Sequence, residues 1–542
     1  MSHESVVATL EQQRQLRLQT DGKRLGNIII PAMRSELNDA QRDRFEHVWQ
    51  VSFDPPGFRP SNALPPLSQI IPELVDRLAA QTVVEPVSQK LEEDVPTRGG
   101  CRAFCVVEEK QSEVDGPVIK RLRFILWPAL LNEWQTANYT PSVDLLHSSR
   151  YVDAVRHDAA LQNDVSSGFY SFVIPGPARA LFRFRDCTGR LFQMTRLPMG
   201  LRSAVELMHI ATKVLVGHPD YVKPCSIVRN IQSHVFVDDF RCAGAPAALE
   251  EARAVIDARA KSLGIILKST TEIKTRYVFL GLVFDHDKKT ISISSKTDRK
   301  LPDDISPTTT AIELQRLVAR LIWCSGGLRI PLACFYFPMK WATRLCNRIN
   351  AGEIAPSDVV SLPPSVVDSL RQWLHVARMP YRNAHRPGNQ HMILFTDASI
   401  KGWGAYLILP DGRLYITGGS WRFSATSGDI AALEARAVRY AVDTFARLIA
   451  RYSEIELRID NTSVASAIPR GVARSFDLNR ELAPVFTTLR ALHVTATASY
   501  VESSRNLADP VSRQLPALPI SREEVERLMN ERRGAGGVWS EL

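Results

Sequence analysis

The sequence predicts a multidomain α+β protein, and three observations point there. With 542 residues and 60.6 kDa, the chain has room for three or four domains at about 150 residues each. Apolar residues at 45% and charged residues at 23% are ordinary globular composition, which excludes a mostly disordered, fibrous or membrane-embedded protein. The texture then changes three times, near Gly100, near Pro302 and near residue 390.

Residues 1–99 read as a proline-rich lead-in. Prolines 55, 56, 60, 65, 66, 72, 86 and 96 argue for an irregular segment and not for a compact unit. Residues 100–300 alternate short β-type runs with helices. CRAFCVVEE and KRLRFILW flank the turn-rich QSEVDGP, a hairpin pattern, and FYSFVI, ALFRFRD and LFQMTRL follow as strands. LRSAVELMHIATKVLVG has helical periodicity, and HVFVDDFRCAG reads as two strands meeting at the double aspartate. AALEEARAVIDARAKSLG is a helix, after which YVFLGLVFD and TISIS close the region as a hairpin. Residues 301–389 are helical, with Leu314, Leu317, Val318 and Leu321 on one face. Trp323, Trp341 and Trp373 in this stretch read as core. Prolines 356, 363, 364, 380 and 387, with YRNAHRPGNQH, mark a boundary near 390. Over 390–513, MILFTDASIKGWGAYLIL is strand, glycine turn and strand, SGDIAALEARAVRYAVDTFARLIA a long helix, and EIELRIDN and TASYVES further strands. Residues 514–542 form a charged tail with one short helix.

The eight cysteines, 101, 105, 187, 225, 242, 324, 334 and 346, contain no C-x-x-C pair and no histidine at zinc-finger spacing. Reduced, buried thiols are therefore expected instead of a disulfide framework or a structural zinc. The polar start lacks the apolar core of a signal peptide, and no run approaches the ~18 to 20 apolar residues of a membrane span. An intracellular protein of the cytoplasm or nucleus is expected, with no membrane partner. The balance of 67 basic against 58 acidic residues, a net +9, is compatible with a polyanionic partner without identifying one.

Two groups of acids carry the chemistry. Asp238 and Asp239 sit in an apolar frame, His234-Val235-Phe236-Val237 before and Phe240 after, and Asp164 ends another apolar run upstream. Adjacent carboxylates at a strand turn repel unless cations neutralise them. A solvated surface pair is the commoner fate of such a dipeptide. One aspartate at each of two strand ends, however, suits two divalent ions about 3.5 to 4 Å apart. Towards the C-terminus, Asp397 ends MILFT, Glu434 lies on the long helix, Asp460 ends ELRID and Asp509 follows. Each alone would be a solvated acid; together they suit two magnesium ions across a scissile phosphate.

The first group resembles the palm of reverse transcriptases. Asp164-Val165-Ser166-Ser167-Gly168-Phe169, Leu197-Pro198-Met199-Gly200-Leu201, Phe236-Val237-Asp238-Asp239, and Lys268-Ser269 followed by Phe279-Leu280-Gly281 match its motifs in order. The resemblance implies that Asp164 and Asp238 hold the metals, with Asp239 and the Val165 carbonyl in support. It implies a steric gate against the 2′-hydroxyl at Phe169, a lysine near the leaving pyrophosphate at Lys268, and nucleotide contacts from Arg123, Lys110 and Lys120. Met199 stands where some relatives have a nucleotide-contacting glutamine, and Glu108 and Glu109 make the hairpin arm less basic than theirs.

The second group resembles a ribonuclease H domain, through Thr396-Asp397-Ala398-Ser399, Gly402-Trp403-Gly404-Ala405, Glu434, Asp460-Asn461 and the run Tyr500 to Asp509 with Ser512-Arg513. His493 is the nearest histidine to the last aspartate, so a phosphate contact from Arg505 or Asn506 is the alternative to one from histidine. The resemblance implies a right-hand polymerase with fingers and palm, a helical thumb and connection, and a ribonuclease H-like α/β domain with a mixed sheet. It further implies RNA-directed DNA synthesis with degradation of the RNA strand, two Mg2+ ions per active site with Mn2+ as a substitute, and catalytic roles for the seven acids. The partners implied are an RNA template, a DNA primer, the RNA–DNA hybrid, deoxynucleoside triphosphates and other retroelement-encoded proteins. MTRLPMGLRSAVELMHIAT is similar to tyrosine-recombinase retrotransposons of the DIRS type and trypanosomatid VIPER-like elements. A long-terminal-repeat or pararetroviral polymerase, or a domesticated non-catalytic nucleic-acid binder, are the alternatives.

Overall fold

The computed structural model describes residues 7–61, 63–111, 118–145, 147–382, 391–426 and 429–531. The centre of the QSEVDGP turn, the end of the proline-marked boundary at 383–390 and the end of the tail lie outside the described residues, as does the side chain of Lys110. The chain forms a mixed α+β structure with several sheets, divided into two compact units. The first comprises residues 1–147, 153–287 and 294–296; the second comprises 148–152, 288–293 and 297–542.

In the first unit, Arg102–Gln111 (β1) and Val118–Trp127 (β2) form an antiparallel hairpin with Glu108 opposite Arg121. A four-stranded antiparallel sheet holds the central acids. Its order is Ile231–Phe236 (β4), Asp239–Gly244 (β5), Ala159–Asp164 (β3) and Ile273–Lys274 (β6). The helix Ala204–Leu215 (α2) is buried nearly all round, whereas Pro246–Leu263 (α3) presents an apolar stripe of Leu249, Ala252, Ile256, Ala260 and Leu263 to the sheet. FYSFVI is not a strand: Ser167 at φ +50° opens a 3-10 turn over Gly168–Ser171. A β-branched and aromatic run is therefore bent where it meets Asp164.

The irregular lead-in is also corrected. Asp39–Phe53 (α1) and Pro72–Ala80 are helices, and Phe45, Val48, Val51, Leu74, Val75 and Leu78 lie in the first unit's core. Prolines at the start of Pro72–Ala80 and between elements punctuate the segment without preventing packing.

In the second unit, Ala311–Gly327 (α4), Tyr336–Asn350 (α5) and Pro364–Arg378 (α6) pack together. Trp373 is fully buried, stacks on Phe335 at 4.7 Å and donates to the Ser325 hydroxyl; Trp323 and Trp341 are only half-buried. A five-stranded mixed sheet follows, ordered Leu414–Ser420 (β9), Gly402–Ile408 (β8), His391–Ala398 (β7), Glu454–Ile459 (β10) and Thr495–Tyr500 (β11). β7, β10 and β11 are parallel, and the β8 pairings are antiparallel. On one face lie Ile430–Ile449 (α7), Thr462–Arg470 (α8) and Phe476–Ala491 (α9), burying Met392 and Leu394. The other face buries Ile393 and Phe395 under Val525 and Leu528 of Arg522–Glu531 (α11). Cover on both faces explains the unbroken apolar run MILF. Among the described residues no helix is long and apolar enough to cross a membrane.

Candidate active sites

In the first unit the register places Asp164 directly opposite Asp239, and Phe236 opposite Asp239 on its other side. The turn joining β4 to β5 is Val237-Asp238, with Val237 at φ +60°. A β-branched residue in this region costs ~1–3 kcal/mol, and such strain is typical of turns that hold a functional group. The Val165 N–H donates to the Asp238 carbonyl at 3.0 Å, so the two strand ends are tied together at the acids. Lys268 grips Asp164 twice: its N–H donates to the Asp164 carbonyl and its Nζ lies 3.4 Å from Oδ2. A Cβ on Gly168 would lie 3.3 Å from the Asp238 Cβ, so the 3-10 turn carrying half-buried Phe169 runs close beside the turn aspartate.

The residues expected to touch nucleotide are placed less uniformly. Arg123 donates to Glu108 Oε1 at 2.7 Å, while Arg121 donates to Oε2 at 2.9 Å. The acidic hairpin arm noted in the sequence therefore holds Arg123. Lys120 is exposed. Met199 is only 8% exposed and belongs to the core, so the structure puts it among apolar neighbours instead of on an open nucleotide face. Asn132 lies on the helix that follows the β1–β2 hairpin, Ala129–Asn138. Its amide donates to the Gly200 carbonyl and accepts from the Arg202 N–H, clamping the loop in which Gly200 adopts φ +140°.

In the second unit, Asp397, Glu434 and Asp460 bring ligand atoms within 4.8 Å of one another, the only such group of three among the described residues. The parallel register, Thr396 opposite Ile459, sets Asp397 beside Asp460 at the strand ends. Glu434 reaches the pair from α7; its Oε1 accepts from the Ala398 N–H at 3.1 Å, and its buried Oε2 meets no donor. Asp397 and Glu434 are each 2% exposed. Burial first, then the charges of Asp460 and Asp509, push the Asp397 carboxyl up to about 7, against the Ser512 hydroxyl and Arg513, which pull it down. Burial, then the charges of Asp397 and Asp460, push Glu434 up to about 10.

The segment after β11 supports this group. The Ser503 hydroxyl donates to Asp460, the Asn506 amide to the Thr396 carbonyl and Asp397 Oδ1, and the Ser512 hydroxyl to Asp397 Oδ2. Asp509 opens the short helix Asp509–Ser512 (α10) and is forked by Arg513 at 2.8 to 3.0 Å. Asn506 is 3% exposed and occupied by Asp397, so it positions an acid instead of reaching for phosphate. Arg505 is exposed. His493 precedes β11, at the opposite end of that strand from the acids. Glycines seat the segment: a Cβ on Gly404, which faces Asp397 in register, would lie 2.7 Å from the Ala508 carbonyl and 2.8 Å from the Ser512 nitrogen. A Cβ on Gly418 would lie 2.5 Å from Val511.

An all-carboxylate donor set suits a hard divalent cation. The orphaned Glu434 Oε2 and the raised Asp397 and Glu434 carboxyls fit such an ion, which would relieve both.

The chain matches no family model, and no curated protein matches it. Among solved structures, it is similar to a foamy viral protease-reverse transcriptase, termed dRH, in complex with double-stranded DNA (14% identity, TM-score 0.45, covering 92% of this chain and 83% of that one). It is also similar to the foamy viral protease-reverse transcriptase with double-stranded DNA (14%, 0.43, 93% and 99%) and with an RNA/DNA hybrid (15%, 0.44, 96% and 66%). At such identities and TM-scores, the functional reading rests on the acids themselves.

Proposed function

We propose that this chain is an RNA-directed DNA polymerase with ribonuclease H activity, encoded by a retrotransposon of the DIRS or VIPER-like type. The observation that carries the reading is one pattern met twice: in each unit, acids far apart in the chain arrive at neighbouring strand ends. Asp164 and Asp238, with Asp239 and the Val165 carbonyl, would hold magnesium or manganese in the first unit, and Asp397, Glu434, Asp460 and Asp509 in the second. Two bound ions per site would supply Lewis-acid activation of the attacking oxygen and neutralise phosphate charge.

The chain's own residues supply positioning. Lys268, 3.4 Å from Asp164, would follow phosphate charge near that acid. Phe169, on its 3-10 turn, would exclude a 2′-hydroxyl. Arg123 would exchange Glu108 for the triphosphate, and Lys110 and Lys120 would add positive charge. In the second unit, Ser512 and Asn506 hold Asp397 in one orientation while the RNA strand is cut. The helices of 301–389 would hold the RNA–DNA hybrid by its backbone.

Primer extension on an RNA template and cleavage of a labelled hybrid, resolved on one gel, test the reading. Asp238→Asn is expected to lower extension by at least 100-fold and leave cleavage intact, and Asp397→Asn to do the reverse. A folded, hybrid-binding wild-type protein that extends no primer would sink the polymerase assignment.

A further inference from the structure

We infer that the second unit carries a surface for unpaired, single-stranded nucleic acid, built on Phe337 and Phe476; the choice of partner rests on the nucleic-acid reading above. Phe337, in the first turn of α5, is 50% exposed, and Phe476, the first residue of α9, is 40% exposed. Their ring centroids are 5.2 Å apart, and Tyr336 completes a three-ring cluster at 5.8 Å from Phe476 and 5.9 Å from Phe337. Two helices distant in sequence therefore bring three aromatic rings together and leave two of them open to solvent. Clustered exposed rings rimmed by polar residues are a feature of interaction surfaces.

Charge identifies the occupant. Lys340 and Arg344 follow Phe337 at i+3 and i+7, on its own helical face, and both are exposed. Neither makes an ion pair among the described residues. Arg480, one turn after Phe476, lies 6.0 Å from that ring's centroid, exposed, with Asp477 at 3.6 Å and Glu481 at 3.7 Å. Protein interfaces are depleted in lysine at their centres, whereas rings interleaved with cations are the arrangement that stacks bases and tracks a phosphate backbone. A duplex hides its base faces, so rings of this kind favour an unpaired strand.

The test uses the full chain and a fluorescein-labelled oligo(dT), with a fully paired RNA–DNA hybrid as second probe, read by anisotropy. The double variant Phe337→Ala/Phe476→Ala is expected to bind oligo(dT) at least tenfold more weakly, to lose less affinity for the paired hybrid, and to keep its far-ultraviolet circular dichroism. Phe337→Trp/Phe476→Trp should retain affinity, because a larger ring still stacks. Unchanged oligo(dT) affinity in a folded double-alanine variant overturns the inference. So does a shift from dimer to monomer with affinity intact, which would make the patch a contact between copies. If the alanine variant does not fold, Lys340→Glu/Arg344→Glu decides: a tenfold loss with a shallower salt dependence supports the surface, and no loss overturns it. Ring-dependent binding by a protein that neither extends primers nor cuts hybrids would leave this surface standing and remove the catalytic reading instead.

Discussion

At the scale of single residues, the second unit's acids are unfavourable alone. Asp397 is raised from an ordinary 3.8 to about 7 and Glu434 from 4.5 to about 10, both chiefly by burial. A carboxyl whose folded pKa lies above its unfolded one binds its proton more tightly when folded. Its contribution is fully present below about pH 4 and is lost as pH rises through 7 for Asp397 and towards 10 for Glu434. In EDTA the second unit should therefore lose thermal stability between pH 5 and 8, by an amount on the order of a few kcal/mol. Asp397→Asn should flatten that slope, and Mg2+ should restore stability in the wild type only; differential scanning calorimetry across pH measures both. A flat profile in EDTA would mean the carboxyls are not shifted. Glu456 serves as an internal contrast. Burial would raise it, but His391 at 3.4 Å, the hydrogen bond from the Ser499 hydroxyl and the charge of Arg458 bring it down to about 2, so its contribution is lost only in strong acid. The acids were legible in the sequence because residue type and apolar frame coincide. The donors Ser512 and Asn506 were legible only as parts of a run, since nothing in spacing says that a serine hydroxyl meets a carboxylate 115 residues away.

At the scale of elements, the second site depends on a glycine-lined seat. Gly404 and Gly418 face each other across β8 and β9, Gly402 lies opposite Ser420, and Gly402, Gly404 and Gly418 leave no room for a Cβ beneath residues 508–514. The sequence showed Gly402-Trp403-Gly404 as a turn, and Gly402 does follow the turn; the close approach at Gly404 is a tertiary contact that no local signal carries. Gly404→Ala is expected to lift the segment that holds Asp509 and Ser512 and to lower hybrid cleavage by at least tenfold. Far-ultraviolet circular dichroism and primer extension should stay unchanged. Cleavage at the wild-type rate would show that the segment tolerates displacement. The FYSFVI misreading has the opposite cause. Its composition favours a strand, but Ser167 at φ +50° turns the chain so that Phe169 stays beside the acid end of β3. Local propensity lost there to a turn that serves the site.

At the scale of the whole molecule, composition was a poor guide to the ends of the chain. Proline density hid the helices of residues 30–80, whose apolar faces belong to the first core. The charge of 522–531 hid Val525 and Leu528, which cover the second face of the five-stranded sheet, while Arg458 reaches Glu531 at 3.3 Å. The net charge of +9 conceals a similar cancellation, because seven of the 58 acids subtracted from it are the candidate ligands Asp164, Asp238, Asp239, Asp397, Glu434, Asp460 and Asp509. Without a cation, those of these acids that are ionised would repel a polyanion; neutralised, they would leave the chain's basic residues unopposed. Asp397→Asn/Asp460→Asn should therefore bind an RNA–DNA hybrid in EDTA at least as tightly as the wild type, although it cuts nothing when Mg2+ is supplied. Both proteins should lose on the order of 1000-fold in affinity between 50 and 200 mM salt if the hybrid is held through about six phosphates. Anisotropy titrations in EDTA across that salt range measure the difference. Weaker binding by the double variant would mean that the acids support the fold of the binding surface instead of opposing the ligand. A salt-independent affinity would mean that the phosphate backbone is not what the basic residues hold.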